Sequence, residues 1–457
     1  MTAHAAATPP GASPPAAADT LAPPTQTLRR RVAEQGGLLF AGYAAAQGFS
    51  FARNALVGYA LSKGDFGIAA TITLILQLVE TLSDVGTDRL IVQAEDGHSE
   101  RLVGMAHTVL IARGVLTALI LYIAAHPAAS FFAIPQVAWA LEIAALVPLV
   151  RSFLHLDFRR AQRRLDNRPQ LLVEVIPQAV ALAATVPLLA HHGGYAVALL
   201  LALIQAATSV MISHAIAERP YRLAADRALI VRFCTFGWPI WLSAFPLIAV
   251  YQGDRVIVGR LLGMEELAAF SAAFMVTMVP GLVAAKVGNS LMLPVLAAAR
   301  DDAQAFARRY QRLGEITLLA AAVYVLVFVA AGGTILPLAF GPNYDGLGTV
   351  IAWLAAMWGL RMIQAVPGMA LMALGETRPF LGAGLIRATA LLPSLLVAAN
   401  GYGLAAVAAA GVAGEAASLV YVAWRLDALR PGMLRPFLLP TLALAPAAAL
   451  GLVLTLR

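Results

Sequence analysis

The chain has 457 residues, of which 60% are hydrophobic and only 12% charged, with a formal net charge of +7. A soluble globular protein carries about 25% charged residues, so a soluble fold is excluded. The basic excess does not read as nucleic-acid binding, because Lys and Arg sit mostly in short loops, where they set orientation in a membrane.

Met1 to Leu28 are rich in Ala, Pro and Thr. They lack an apolar core and a basic start, so they do not read as a signal peptide. They read instead as a disordered cytoplasmic tail. Arg29, Arg30 and Arg31 follow. Thirteen apolar stretches then run to the C-terminus, at 36–61, 66–93, 103–126, 136–156, 170–190, 195–217, 234–262, 266–297, 314–338, 346–373, 379–399, 403–425 and 436–456. Most match the length of about 20 residues that crosses a hydrocarbon core of roughly 30 Å as a helix. In lipid only helices and closed barrels satisfy every backbone polar group, and these stretches are too long for barrel strands. The expected fold class is an all-α polytopic membrane protein. The last stretch, an extra C-terminal helix, is interrupted at its start by Pro436 and Pro440.

Alternate loops carry the arginines: Arg101; Arg159, Arg160, Arg163, Arg164 and Arg168; Arg219, Arg222, Arg227 and Arg232; Arg300, Arg308, Arg309 and Arg312; Arg378; Arg425, Arg430 and Arg435. The opposite loops carry little beyond Lys63, Arg260 and Arg457. The positive-inside rule then places the N-terminus in the cytoplasm. The outer loops are short, which excludes a large extracytoplasmic catalytic domain. Cys234 is the only cysteine, which excludes an internal disulfide and a cysteine-based metal cluster. No P-loop, HExxH or nucleophile elbow is present, so neither ATP-driven work nor a cofactor or metal is expected.

The chain repeats itself. Asp166-Asn167-Arg168-Pro169 recurs as Glu376-Thr377-Arg378-Pro379, and Gln205-Ala206-Ala207-Thr208 as Glu415-Ala416-Ala417-Ser418, both at an offset of 210. Val57-Gly58 with Asp65-Phe66-Gly67 recurs as Val258-Gly259 with Glu266-Leu267-Ala268, at an offset of 201. The unit spans six helices, an even number, so both copies share one orientation. The expected domains are a tail (1–28), a first six-helix lobe (29–217), a basic linker (218–233), a second lobe (234–425) and the extra helix (426–457). Transporters are often built from such repeats, with the substrate path between the halves.

Ionisable residues inside spans face a cavity or a partner. Glu80, Asp84 and Asp88, spaced i, i+4, i+8, fall on one face of the second predicted helix, which Gln77 extends. They read as a coupling or gating face, or as ion pairs with Arg53 or Arg113. Asp254 has the same two readings. Arg53, Arg255, Lys286, Arg361 and Arg387 form the basic set. Facing a cavity, they would attract an anion such as a diphosphate, whose oxygens Arg binds in bidentate fashion. The plainer reading pairs Arg255 with Asp254 or Glu80. Prolines inside spans, among them Pro148, Pro239, Pro246, Pro280 and Pro367, kink helices.

Several segments resemble a known family. Leu61-Ser62-Lys63-Gly64-Asp65-Phe66-Gly67 resembles the first outer turn of Wzx-type polysaccharide repeat-unit flippases, and Ser83-Asp84-Val85-Gly86 the segment that ends their second helix. Gly253-Asp254-Arg255 through Gly259, Leu262-Gly263 and Leu267-Ala268-Ala269-Phe270-Ser271 resembles their seventh-to-eighth helix signature, with Ala268 in place of the usual Gly. Pro280, Leu293-Pro294-Val295 and Phe340-Gly341-Pro342-Asn343-Tyr344 follow in the same order. The resemblance implies the multidrug/oligosaccharidyl-lipid/polysaccharide (MOP) exporter superfamily, with two six-helix bundles in a V around a central cavity. It implies transfer of an undecaprenyl-diphosphate-linked oligosaccharide across the bacterial inner membrane, with Arg53 and Arg255 on the diphosphate. Membrane lipid and polysaccharide polymerase or export machinery are the implied partners. Drug/cation antiport on the same fold, a membrane polysaccharide polymerase or ligase, and a non-transporting scaffold remain alternatives.

Overall fold

The computed structural model describes residues 24–164 and 166–434, with side chains from residue 36 onward except at 284–287, 289 and 290. Among the described residues every regular element is helical. The first group is α1 (Pro24–Ala60), α2 (Lys63–Ser83), α3 (Thr87–Gln93), α4 (Glu100–Phe131), α5 (Ala138–Ala144), α6 (Leu146–Arg151), α7 (Asp157–Arg163), α8 (Arg168–His191) and α9 (Ala196–Ala215). The second is α10 (Arg227–Leu261), α11 (Met264–Ala297), α12 (Ala303–Phe340), α13 (Gly348–Ala373), α14 (Arg378–Thr389), α15 (Leu391–Ala399) and α16 (Gly403–Leu429).

Ten helical segments among the described residues are long and apolar enough to cross a membrane. Two expected spans depart from that simple form. The span at 36–61 is the second part of α1 and falls outside the ten, since Gln47, Arg53 and Asn54 interrupt its apolar run. The span at 136–156 is split into a 3₁₀ turn at Pro135–Val137, then α5 and α6. Pro148 has no N–H to return to Ala144, which accounts for the break beside Ala145. The thirteenth stretch, 436–456, lies outside the described residues.

The expected helix over 66–93 also needs correction. α2 stops at Ser83, Asp84 is extended, and Gly86 adopts φ +66° before α3 begins. The Asp84 carboxylate accepts a hydrogen bond from Gly86 N at 2.9 Å, a local turn that competes with helix. Glu80, Asp84 and Asp88 therefore do not share one helix face.

In the first lobe α1 packs on α8, α8 on α9, and α4 on α5 and α6; in the second, α11, α12 and α16 surround α13. At the arginine-poor end the lobes share one core. Val57, Leu61 and Phe66 of the first pack there with Leu267, Phe270 and Phe340 of the second. At the arginine-rich end the cores are separate. One is built from Met292, Phe306, Tyr310, Met369 and Leu426, the other from Leu90, Leu102, Leu110, Phe158 and Val173. Two lobes joined at one end and separate at the other make the V.

The join uses two distant motifs. The Phe66 ring lies 5.9 Å from that of Phe340 and 6.2 Å from that of Tyr344, both edge-on. Beside them α2 crosses α11 so closely that a Cβ on Gly67 would stand 1.9 Å from the carbonyl oxygen of Met264.

The linker is strapped to the first lobe. Ala224 N donates to Gly104 O at 3.2 Å, and Arg222 pairs with Glu100 at 2.7 Å. Leu156 N donates to His107 Nε2, so His107 donates through Nδ1 to Arg222 O, at 3.0 Å. Tyr221 stacks on that ring at 4.2 Å. The start of α10 follows the strap. Phe233 is buried in the first lobe's core, and Arg232 clasps Asp96 with two bonds of 2.8 Å. Those bonds hold the Asp96 carboxyl below the usual carboxylate range. Farther along, α10 turns to the second lobe and packs on α14 and α15.

Candidate functional site

Each lobe holds a polar cluster inside its helices. In the first, Arg53 of α1 lies half-buried against α8 and α9. Its Nη1 donates to Gln205 Oε1 at 2.6 Å and to Gln178 Oε1 at 3.3 Å. Among the described residues no carboxylate pairs with it, and neither Asp84 nor Glu80 reaches it. Its charge is thus held by neutral amides.

In the second lobe the charges are balanced. Arg361 of α13 donates through Nε to Glu415 Oε1 of α16 at 2.8 Å, and a second bond runs from Nη2 to the same oxygen. Arg387 of α14 approaches the other Glu415 oxygen at 3.7 Å. The Arg361 guanidinium also lies over the rings of Trp358, at 4.6 Å, and Tyr251, at 4.9 Å. Glu415 is 3% exposed. Asp254 of α10 and Ser394 of α15 complete the cluster, and among the described residues Asp254 Oδ1 and Ser394 Oγ have no hydrogen-bond partner of ordinary geometry. Gln364 Nε2 donates to Ser418 Oγ at 2.9 Å below them.

A third arrangement joins the lobes. Gln252 of α10 donates to Gln77 of α2 at 2.9 Å and accepts from Arg255 Nη1 at 3.1 Å. Arg255 is only 6% exposed, with Nε 3.4 Å from Ser271 Oγ and Nη2 without a partner among the described residues. It pairs with neither Asp254 nor Glu80. Lys286 lies on α11, its side chain outside the described residues.

The three acids of the second predicted span have separate partners. Glu80 pairs with Arg151 of α6, at a cleft lined also by Arg113, Gly114 and Pro148. Asp84 lies 3.5 Å from Arg89 and 3.6 Å from Arg113. Asp88, on α3, accepts two bonds from Arg159, at 2.7 and 3.2 Å. The glutamines Gln178, Gln205 and Gln252 carry no charge, so a search for ionisable residues passes over them. Only the repeat drew attention to Gln205.

Residues 60–349 match the family described as polysaccharide biosynthesis protein. The chain belongs to that family. The succinoglycan biosynthesis transport protein ExoT of Rhizobium meliloti (strain 1021) is 22% identical over 273 residues, which cover 58% of this chain. The match spans about half, 53%, of that relative's length. Two solved structures share the fold. The lipid II flippase MurJ in an inward closed conformation superposes with a TM-score of 0.69 at 11% identity, covering 92% of this chain and 97% of that one. A multidrug resistance MATE family transporter of the MOP superfamily, facing inward, gives 0.67 at 15%, covering 84% and 95%. The family and the shared two-lobe fold agree with the resemblance to Wzx-type flippases, and the ten apolar helices make this a multi-pass membrane protein.

Proposed function

We propose that this protein is a flippase that carries an undecaprenyl-diphosphate-linked oligosaccharide repeat unit to the outer leaflet of the bacterial inner membrane, with its N-terminus in the cytoplasm. Arg53 carries this reading. A half-buried guanidinium among neutral amides keeps its attraction for an anion, and a diphosphate offers the paired oxygens that arginine binds best. A cationic drug would meet repulsion there, which ranks drug/cation antiport second.

In this proposal the lobes, 29–217 and 234–425, rock about their shared core while the polyprenyl tail stays in lipid. The head enters between the separated ends of the V and leaves at the opposite end. Arg255, Arg361 and Arg387 have protein partners in the present state, so they would meet the head only after the lobes move. Lys286 is a further cation of the same set. The glycan would supply a cell-surface polysaccharide such as O-antigen or exopolysaccharide, with a polymerase or export complex taking up the product.

The test is transfer of a fluorescent undecaprenyl-diphosphate oligosaccharide in proteoliposomes. Arg53→Ala is expected to slow transfer by about tenfold or more, the loss of one charge-assisted contact, while Arg53→Lys keeps part of it. Transfer at the intact rate by Arg53→Ala would sink the reading.

A further inference from the structure

The repeat makes a comparison between the two polar clusters possible. The offset of 201 carries Arg53 onto Asp254, and the offset of 210 carries Gln205 onto Glu415. The offset of 210 also carries Ala138, where α5 begins, onto Gly348, where α13 begins, and Arg151 onto Arg361. Two positions, Arg53/Asp254 and Gln205/Glu415, are thus common to both clusters, with different charges.

In the second lobe the position after the small-residue turn of α16 is an acid, Glu415, and it takes Arg361 and Arg387. In the first lobe the related position is an amide, Gln205, and it takes Arg53. The arginine related to Arg361 is Arg151, and it is already paired with Glu80. The Glu415 cluster of the second lobe therefore neutralises itself, two guanidiniums facing Glu415 and Asp254. The related cluster of the first lobe leaves Arg53 without an acid partner among the described residues.

We infer that Gln205 is a specificity-determining residue: as the neutral counterpart of Glu415, it positions Arg53 without cancelling its charge, and so keeps the first lobe selective for an anionic head group. This rests on the reading of Arg53 as the seat of a diphosphate. The amide oxygen fixes the guanidinium edge at 2.6 Å, and Gln178 supports it at 3.3 Å. A carboxylate in the same place would make the bond and remove the attraction, because a guanidinium already paired with a buried acid has little left for a phosphate.

The experiment measures binding of undecaprenyl diphosphate to the full chain in detergent micelles, with thermal unfolding of each variant. Gln205→Glu is expected to weaken binding by about tenfold or more, as far as Arg53→Ala does, while its unfolding temperature stays level or rises. Gln205→Met, neutral and of similar length, is expected to lose much less. Gln178→Glu supplies a second acid beside Arg53 should Gln205→Glu fail to fold, and the same loss is expected. If Arg53→Ala loses binding while folded Gln205→Glu or Gln178→Glu binds like the intact protein, the inference about Gln205 is overturned and the Arg53 reading stands. If Gln205→Met loses as much as Gln205→Glu, geometry rather than charge sets the site, and the inference also falls. If Arg53→Ala itself binds normally, the underlying reading is lost with it.

Discussion

Glu415→Ala is expected to cost about 3–5 kcal/mol of stability, the usual result of removing one partner from a buried ion pair. Glu415 is 3% exposed, and the side chains of its partners, Arg361 and Arg387, are 10% and 19% exposed. Without it, two guanidiniums stay inside the second lobe with only Asp254 to answer them. Asp254 Oδ1 and Ser394 Oγ are the acceptors that remain, and neither makes a hydrogen bond to Arg361 or Arg387 among the described residues. Glu415→Gln keeps an acceptor and should cost less. Glu415→Ala combined with Arg361→Met should recover much of the loss, since apolar replacement of a buried pair is often neutral. Denaturant unfolding of the purified protein in micelles checks all three. An unchanged midpoint for Glu415→Ala would mean that water reaches the cluster and that the pair contributes little.

How much of this was legible in the sequence differs between backbone and site. The helices follow from long apolar runs, and the lobes from a repeat whose period survives in an Ala-rich chain. Where one residue interrupted a run, hydropathy misled. Val85-Gly86 looks like the inside of a span, yet Gly86 at positive φ and the Asp84 turn end the helix there. The resemblance of Ser83-Asp84-Val85-Gly86 to a helix-ending segment pointed to that break more accurately than hydropathy did. In the site, charge alone could be read in advance, and partner choice could not. Arg255 and Asp254 are neighbours in the chain and look like a pair, but successive helical residues project about 100° apart. Asp254 turns toward α15 and α16, and Arg255 toward Ser271 of α11. Arg53 found amides instead of acids because α8 and α9 place Gln178 and Gln205 opposite it, and no pattern of charged residues marks such positions.

The other large effect is expected at the crossing of α2 and α11. Gly67→Val would drive a branched side chain into the Met264 carbonyl, where even a single Cβ would stand 1.9 Å from the oxygen. The obstacle is backbone, so no side-chain rotation relieves it, and the helices must separate. Overpacking of this kind costs about 1–3 kcal/mol within a core. Here the separation falls on the core that both lobes share, beside Phe66, Phe340 and Tyr344. The expected result is a protein that folds but holds its arginine-poor end apart, with transfer reduced by more than stability alone accounts for. A crosslink reads this directly. Thr71 Oγ1 lies 3.2 Å from Met264 Sδ, so Thr71→Cys and Met264→Cys in a Cys234→Ser background should lie near enough for a short bifunctional thiol reagent to join them across the crossing. Adding Gly67→Val should slow that crosslink, and Gly67→Ala should slow it less. A crosslink that forms equally fast with Gly67→Val would show that α2 and α11 do not depend on this close approach to bring the lobes together.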